Sequence, residues 1–330
     1  MKFLIAGSGS IGRRHIRNLL ALGEKNISLY RTYQSTIPDE ELALFKVETD
    51  LQAALAQAPD AVIVSNPTAA HLDVALPASE AGCHLLLEKP VSHTMKGLDQ
   101  LARNMASSGK ITLVGYQFRF HPVLMQIKAL LDSGALGRPL SVHVHWGEYL
   151  PGWHPWEDYR KTYAARADLG GGVVLTLSHP FDTLRWLIGE VGSLSAMTGQ
   201  TSDLNIEVED HAEIMLAFLN GCTGFVHLDY YQRPPSHWME ITTANGFIRW
   251  NNVEDAADVY RVSNSDWERL DAPSGFERND LFLDEMAHLL AVMRGEETVR
   301  CSLEDGQRAL EIALAVHESA AQGCQRVRLY

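Results

Sequence analysis

Lys89 stands in the run Leu85-Leu86-Leu87-Glu88-Lys89-Pro90, where three leucines read as the end of a buried strand and a carboxylate, an amine and a proline follow at once. In a doubly wound sheet, ligands sit outside the carboxyl ends of the strands, so a charged pair at such an end either closes a solvated turn or reaches into a site. A lysine with a lowered pKa is a usable acid/base near neutrality. A second stretch carries its own chemistry: Gly7-Ser8-Gly9-Ser10-Ile11-Gly12 follows a short apolar run and opens a segment of helical spacing. Gly7 permits a tight turn, Gly9 lets backbone approach a pyrophosphate, and Gly12 lets helix and strand pack closely. The helix start at Ser10 and Ile11 offers free N–H groups and a partial positive charge to phosphates.

The elements that must position these groups alternate. Lys2 to Ala6, Asn26 to Tyr30, Ala61 to Ser65, Cys83 to Leu87 and Ile111 to Gly115 read as strands. Helical stretches are expected after the glycine turn, from about Ala69, and from Thr94 to Ser107. Strands alternating with helices imply a parallel sheet. Its loops bring Asn66, Pro67, His71, Glu88, Lys89 and Gln117 to the same crevice as the glycine turn, as cofactor-binding candidates. NAD-specific sites place an acidic residue about 20 residues after the glycines to hold the ribose 2′-OH. Here the second strand ends Tyr30-Arg31-Thr32, with no carboxylate. Arg31, helped by the Thr32 hydroxyl, suits a 2′-phosphate, so NADP is preferred over NAD; stacking of Arg31 on the adenine would instead admit both.

Asn66-Pro67 with His71, Glu88-Lys89-Pro90, and Gly115-Tyr116 with Arg119-Phe120 follow the glycine turn in one order. Further on stand Gly170-Gly171-Gly172 and Ser178-His179-Pro180-Phe181-Asp182. The ordered combination resembles the Gfo/Idh/MocA oxidoreductases, the glucose–fructose oxidoreductase and inositol dehydrogenase family, over almost the whole chain. The resemblance implies an α/β protein: a Rossmann domain with a parallel sheet (1–120), then an α/β domain with a large open, mostly antiparallel sheet for substrate binding and oligomerisation (121–330). It implies Lys89 as the catalytic lysine, a cis peptide before Pro90, and Glu88 either orienting Lys89 or touching the cofactor ribose. It also implies a homodimer or homotetramer. In the common family pattern an aspartate precedes the histidine by three or four positions; here Thr176 stands there, which leaves His179 as the second acid/base candidate.

The second domain contributes an aromatic, mixed-charge stretch from Tyr149 to Tyr163. Aromatics stack on sugar rings and arginine binds carboxylate or phosphate. Trp153, Tyr159, Arg160 and Tyr163, with Thr176, His179 and Lys89, are therefore the substrate-binding candidates; a packed inter-domain loop would read the same way. His143 and His145 fall on one strand face, but no third ligand is evident, so no metal site is expected. Tyr231 and Arg233 either touch substrate or close the sheet.

The totals exclude other classes. A net charge of −13 argues against general nucleic-acid or anionic-membrane binding. No apolar run approaches the ~18 residues of a membrane span. Cys83, Cys222, Cys301 and Cys324 lack zinc or thioredoxin-like spacing, and free thiols in the cytoplasm are expected. The function expected is hydride transfer between NADP or NAD and a ring hydroxyl or ketone of a sugar, cyclitol or sugar derivative, with Lys89 and His179 as acid/base. A redox-neutral glycosidase or epimerase with bound NAD, and a non-catalytic cofactor-binding regulator, are the alternatives.

Overall fold

The computed structural model describes residues 1–32 and 40–330. Contacts divide the chain into two compact units, Met1–Gln117 with Arg278–Gln307, and Phe118–Glu277 with Arg308–Tyr330. The boundary expected near residue 120 follows chain order and does not foresee the return of Arg278–Gln307 to the first unit.

In chain order the first unit begins with β1 (Lys2–Ala6), α1 (Ser10–Ala21), β2 (Asn26–Tyr30), β3 (Lys46–Glu48), α2 (Leu51–Leu55), β4 (Ala61–Val64), α3 (His71–Glu80), β5 (His84–Leu87), α4 (Leu98–Ser108) and β6 (Thr112–Val114). The strands form one parallel sheet in the order β3-β2-β1-β4-β5-β6. β4 is continuously apolar and buried, and β5 carries three buried leucines after His84, as expected for a parallel sheet covered on both faces. Strand order reverses beside β1, which pairs with both β2 and β4. That is the switch point where such sheets bind ligands.

Three local features depart from the sequence reading. β3 and α2 were not foreseen; they are only three and five residues long, too short for a periodic signal. Asp50 caps α2 by accepting from Gln52 N and Ala53 N. The helix expected from Thr94 begins at Leu98, because Gly97 sits at φ +91 immediately before it.

The second unit holds α5 (Pro122–Asp132), β7 (Pro139–Tyr149), α6 (Val173–Thr176), α7 (His179–Leu187), β8 (Val191–Gly199), β9 (His211–Phe218), β10 (Thr223–Asp229), β11 (Tyr231–Thr243), β12 (Gly246–Asn251), β13 (Ala256–Arg261) and β14 (Asp266–Asp271). After these come α8 (Arg278–Met293), which belongs to the first unit, then α9 (Leu303–Ala321) and β15 (Val327–Arg328). Nine strands form one sheet in the order β14-β13-β12-β11-β7-β10-β9-β8-β15. β7 and β10 run parallel and the other pairs are antiparallel. Burial alternates along β9 and β12, the mark of a sheet with one packed and one open face. No helix of the described residues is long and apolar enough to cross a membrane.

Candidate functional site

The first unit gathers its polar residues at the carboxyl ends of β1, β4, β5 and β6. Gly7 adopts φ +98, and a Cβ there would lie 2.5 Å from Asn66 N. A Cβ on Gly12 would lie 2.0 Å from Gly7 O and 2.9 Å from Ser65 Oγ. Ser65 Oγ donates to Gly7 O at 2.9 Å, tying the end of β4 to the glycine turn. Gly9, the cap residue of α1, is different: a Cβ there would meet nothing within 4 Å. Two glycines thus allow the turn to close, and the third leaves open space above a helix N-terminus. That is the cradle a dinucleotide pyrophosphate needs.

At the next strand end, Glu88 is buried and its Oε1 lies 2.7 Å from Nε2 of the fully buried His15 on α1. Its Oε2 accepts from Lys89 N at 3.3 Å. Burial opposes ionisation of Glu88, but the hydrogen bond and charge of His15, with the charges of Lys89 and His71, hold its carboxyl below the usual range. A Cβ on Gly115, after β6, would come 3.0 Å from Glu88 Oε2, so only glycine leaves the carboxylate this room. Lys89 is half-buried and the Lys89–Pro90 peptide is cis. His71, in the first turn of α3, is within 3.0 Å of Asn66 O through Nε2, and burial pushes its pKa down. Gln117 is buried at the end of the unit's first segment. Arg31 is buried after β2 and Thr32 is exposed. Both precede residues 33–39, which lie outside the described residues.

In the second unit two short helices, α6 and α7, follow Gly170-Gly171-Gly172. Gly170 and Gly172 take φ +76 and +103, and Glu209 accepts from Val174 N at 3.2 Å to fix the start of α6. Thr176 ends α6, buried, and hydrogen-bonds with the phenol of the fully buried Tyr230. Burial pushes that phenol well above its ordinary pKa. His179 opens α7, buried beside the rings of Phe118 at 5.0 Å and Trp146 at 5.9 Å. Asp182, one turn on, forms a buried bidentate pair with Arg119: Nη2 to Oδ1 2.7 Å and Nε to Oδ2 3.0 Å. Removing one partner of such a buried pair costs about 3–5 kcal/mol, so the pair anchors α7 and with it His179.

The aromatic stretch is held by its own contacts and, apart from the buried Leu150, stays half-buried to exposed. Trp153 Nε1 donates to Glu148 and its ring meets Tyr230 edge-on at 5.8 Å. The Tyr159 hydroxyl donates to Leu204 O at 2.8 Å. Arg160 is exposed, pairs with Asp158 at 2.8 Å and lies over the Tyr159 ring. Tyr163 is 37% exposed.

Comparison with known proteins decides the family. Residues 1–116 match the description "Oxidoreductase family, NAD-binding Rossmann fold" and residues 124–249 match "GFO/IDH/MocA C-terminal domain". The chain belongs to the Gfo/Idh/MocA oxidoreductases. The fold expected from the sequence, a Rossmann domain followed by a large, mostly antiparallel sheet, is the one observed. So is the enzyme class: an oxidoreductase of the dehydrogenase type that acts on CH–OH groups. A myo-inositol 2-dehydrogenase from Thermotoga maritima is 24% identical over 97% of this chain and 96% of its own length. A levoglucosan dehydrogenase solved with NADH and levoglucosan superposes with a TM-score of 0.87 at 19% identity, over 100% of this chain and 99% of that one. The WlbA dehydrogenase from Bordetella pertussis, solved with NADH and UDP-GlcNAcA, gives 0.82 at 22% identity over 100% and 99%.

Within this Gfo/Idh/MocA chain the sequence reading missed His15, Ser65, Glu285 and the Arg119–Asp182 pairing. His15 follows Ile11 by four positions on α1, so the pattern does place it on the buried face; its partner is invisible without the fold. Glu285 on α8 is fully buried, with neither carboxyl oxygen hydrogen-bonded. Burial, reinforced by the charge of Glu88, pushes its carboxyl well above the usual range.

Proposed function

We propose that this protein transfers hydride between a nicotinamide dinucleotide and a ring hydroxyl or ketone of a sugar, cyclitol or sugar derivative. The observation that carries the reading is the strand-end cluster of the first unit: an open glycine cradle at Gly9 after β1, with Lys89 after β5, two strands along the same sheet, beside a carboxylate that His15 holds in place. Gly7, Gly9, Gly12 and the N–H groups of Ser10 and Ile11 would hold the pyrophosphate. Asn66, Pro67, His71, Glu88 and Gln117 would line the rest of the dinucleotide. When bound, the nicotinamide supplies the hydride acceptor or donor.

The chain's own residues do the proton work. Lys89 Nζ takes the hydroxyl proton in oxidation and returns it in reduction. Glu88, ionised against His15, fixes the Lys89 backbone and places negative charge beside the amine. His179, enclosed by Phe118 and Trp146, is the second acid/base group. Thr176, bound to Tyr230, offers a hydroxyl where most of the family has a carboxylate, so it orients substrate without taking a proton. Trp153, Tyr159, Arg160 and Tyr163 are the substrate-binding candidates of the aromatic stretch. NADP is preferred, because Tyr30-Arg31-Thr32 offers a guanidinium and no carboxylate to the adenosine ribose; the NADH complexes of the similar structures support NAD(H) as the wider class. The reading carries with it a small carbohydrate substrate, a homodimer or homotetramer, and a cytoplasmic setting.

The test is a panel of cyclitols, sugars and anhydrosugars offered with NADP+ and NAD+, following formation of reduced nicotinamide. At least one is expected to give net cofactor reduction. Product without net reduction would instead mark a redox-neutral glycosidase or epimerase. Lys89→Ala is expected to cut turnover by ~10²–10⁴ while leaving dinucleotide affinity nearly unchanged; undiminished turnover in that variant sinks the assignment.

A further inference from the structure

On the open face of the nine-stranded sheet, three adjacent strands bring together residues that are far apart in sequence. The register sets Glu213 of β9 opposite His227 of β10, and His227 opposite His145 of β7. One step along, His211 of β9 faces Asp229 of β10. Because side chains two apart on a strand share a face, His211 joins Glu213, and Asp229 joins His227.

We propose that His211, Glu213 and His227 form a binding site for a divalent transition-metal ion, zinc foremost, on this sheet face. His227 Nδ1 lies 2.7 Å and His211 Nε2 3.4 Å from the same oxygen, Oε1 of Glu213. One ligand atom from each of the three residues falls within 4.8 Å of the others. Zinc–ligand bonds of 2.0–2.1 Å in a tetrahedron separate neighbouring ligand atoms by about 3.3 Å, a spacing the observed distances bracket.

The surroundings fit the same assignment. Asp229 is fully buried, and its Oδ1 accepts from the backbone N–H groups of Tyr231 and Gln232. Its Oδ2 lies 2.9 Å from His227 Nε2. A carboxylate fixed in this way keeps the imidazole proton on Nε2 and turns the Nδ1 lone pair toward the ion, the outer-shell device common at histidine metal sites. His145 stacks on His227 at 4.6 Å and on Trp238 at 5.6 Å, walling one side. Glu213 Oε2 is buried with no hydrogen-bond partner, leaving a second carboxylate oxygen for the ion. Two imidazoles and one carboxylate select zinc and its neighbours over magnesium or calcium, which take oxygen ligands. Within one chain the ligand side chains are 13–28% exposed.

The competing account is a metal-free network in which a His227 imidazolium sits between the carboxylates of Glu213 and Asp229. Chelator-stripped protein free of any affinity tag, with no dinucleotide added, is titrated with Zn2+ against a chromophoric chelator, and with Co2+ followed by visible absorption. One ion per chain is expected. His211→Ala and His227→Ala should each weaken binding at least tenfold, and Asp229→Asn by ~10–100-fold. Circular dichroism confirms that each variant is folded. Should His227→Ala fail to fold, His211→Ala, on the neighbouring strand, carries the test. Equal stoichiometry and affinity in a folded His211→Ala protein, or no zinc binding by the stripped wild type, would overturn the proposal in favour of the imidazolium network.

Discussion

The two sheets of this molecule offer chemistry in different places. In the parallel sheet the strands are buried on both faces, so β4 and β5 can present reactive groups only where they end. Gly7, Asn66, Glu88, Lys89 and Gly115 all lie just past a strand. In the nine-stranded sheet one face stays open, and burial alternates along β9. There side chains line up in rows across strands, and His211, Glu213, His227 and His145 form such a patch without any loop. The first arrangement concentrates function at a few backbone turns that tolerate little change. The second spreads it over side chains of neighbouring strands.

Substitution within the glycine turn tests the first half of that comparison most severely. Gly12→Ala places a methyl carbon 2.0 Å from the Gly7 carbonyl oxygen, a backbone atom that cannot give way as the end of a flexible side chain could. It should lose measurable dinucleotide binding and destabilise the protein by about 3 kcal/mol, read by fluorescence titration and thermal melting. Gly9→Ala, whose Cβ meets nothing in the protein, should melt within about 0.5 kcal/mol of wild type yet bind dinucleotide at least tenfold more weakly. Equal binding by the Gly9 variant would mean that the open space above α1 is not used by the cofactor.

A smaller effect is expected behind the strand ends. Glu285 has its folded pKa raised and Glu88 its pKa lowered. The signs are opposite. The Glu285 contribution is fully present below the ordinary carboxyl pKa and is lost as pH rises through the raised value. The Glu88 contribution is present above the ordinary value and is lost as pH falls through the lowered one. Glu285→Gln removes the first, so its advantage over wild type should be absent in mild acid and appear as pH rises through the raised Glu285 value in melting experiments. A constant difference across pH would show that Glu285 does not titrate with folding.

How far the sequence discloses each region follows from the same contrast. The glycine turn was legible because each glycine answers a local backbone demand. Lys89 was legible because a charged pair directly after a buried apolar run marks a strand end. The partner of Glu88 was not, since His15 reaches it only through the packing of α1 on the sheet. On the open sheet, His143 and His145 drew attention as neighbours in sequence. His143 is exposed and meets Phe225, while the rings stacked on His145 belong to Trp238 and to His227, the latter on a parallel neighbour strand some eighty positions away. The His-x-Glu at 211–213 and His-x-Asp at 227–229 do carry the two-residue period of one strand face. Only the antiparallel pairing of β9 with β10 shows that the two motifs meet. Thr176 likewise stood out for the aspartate it replaces, and its contact with Tyr230 needed the fold.

The most direct measurement of the central claim, that the carboxyl ends of the parallel sheet hold a nicotinamide dinucleotide, is a titration of cofactor-free protein with NADPH and with NADH, followed by tryptophan fluorescence. Saturable binding of both with NADPH the tighter is the predicted result. Tighter binding of NADH would keep the site and remove the phosphate role of Arg31. Binding of neither would contradict the account.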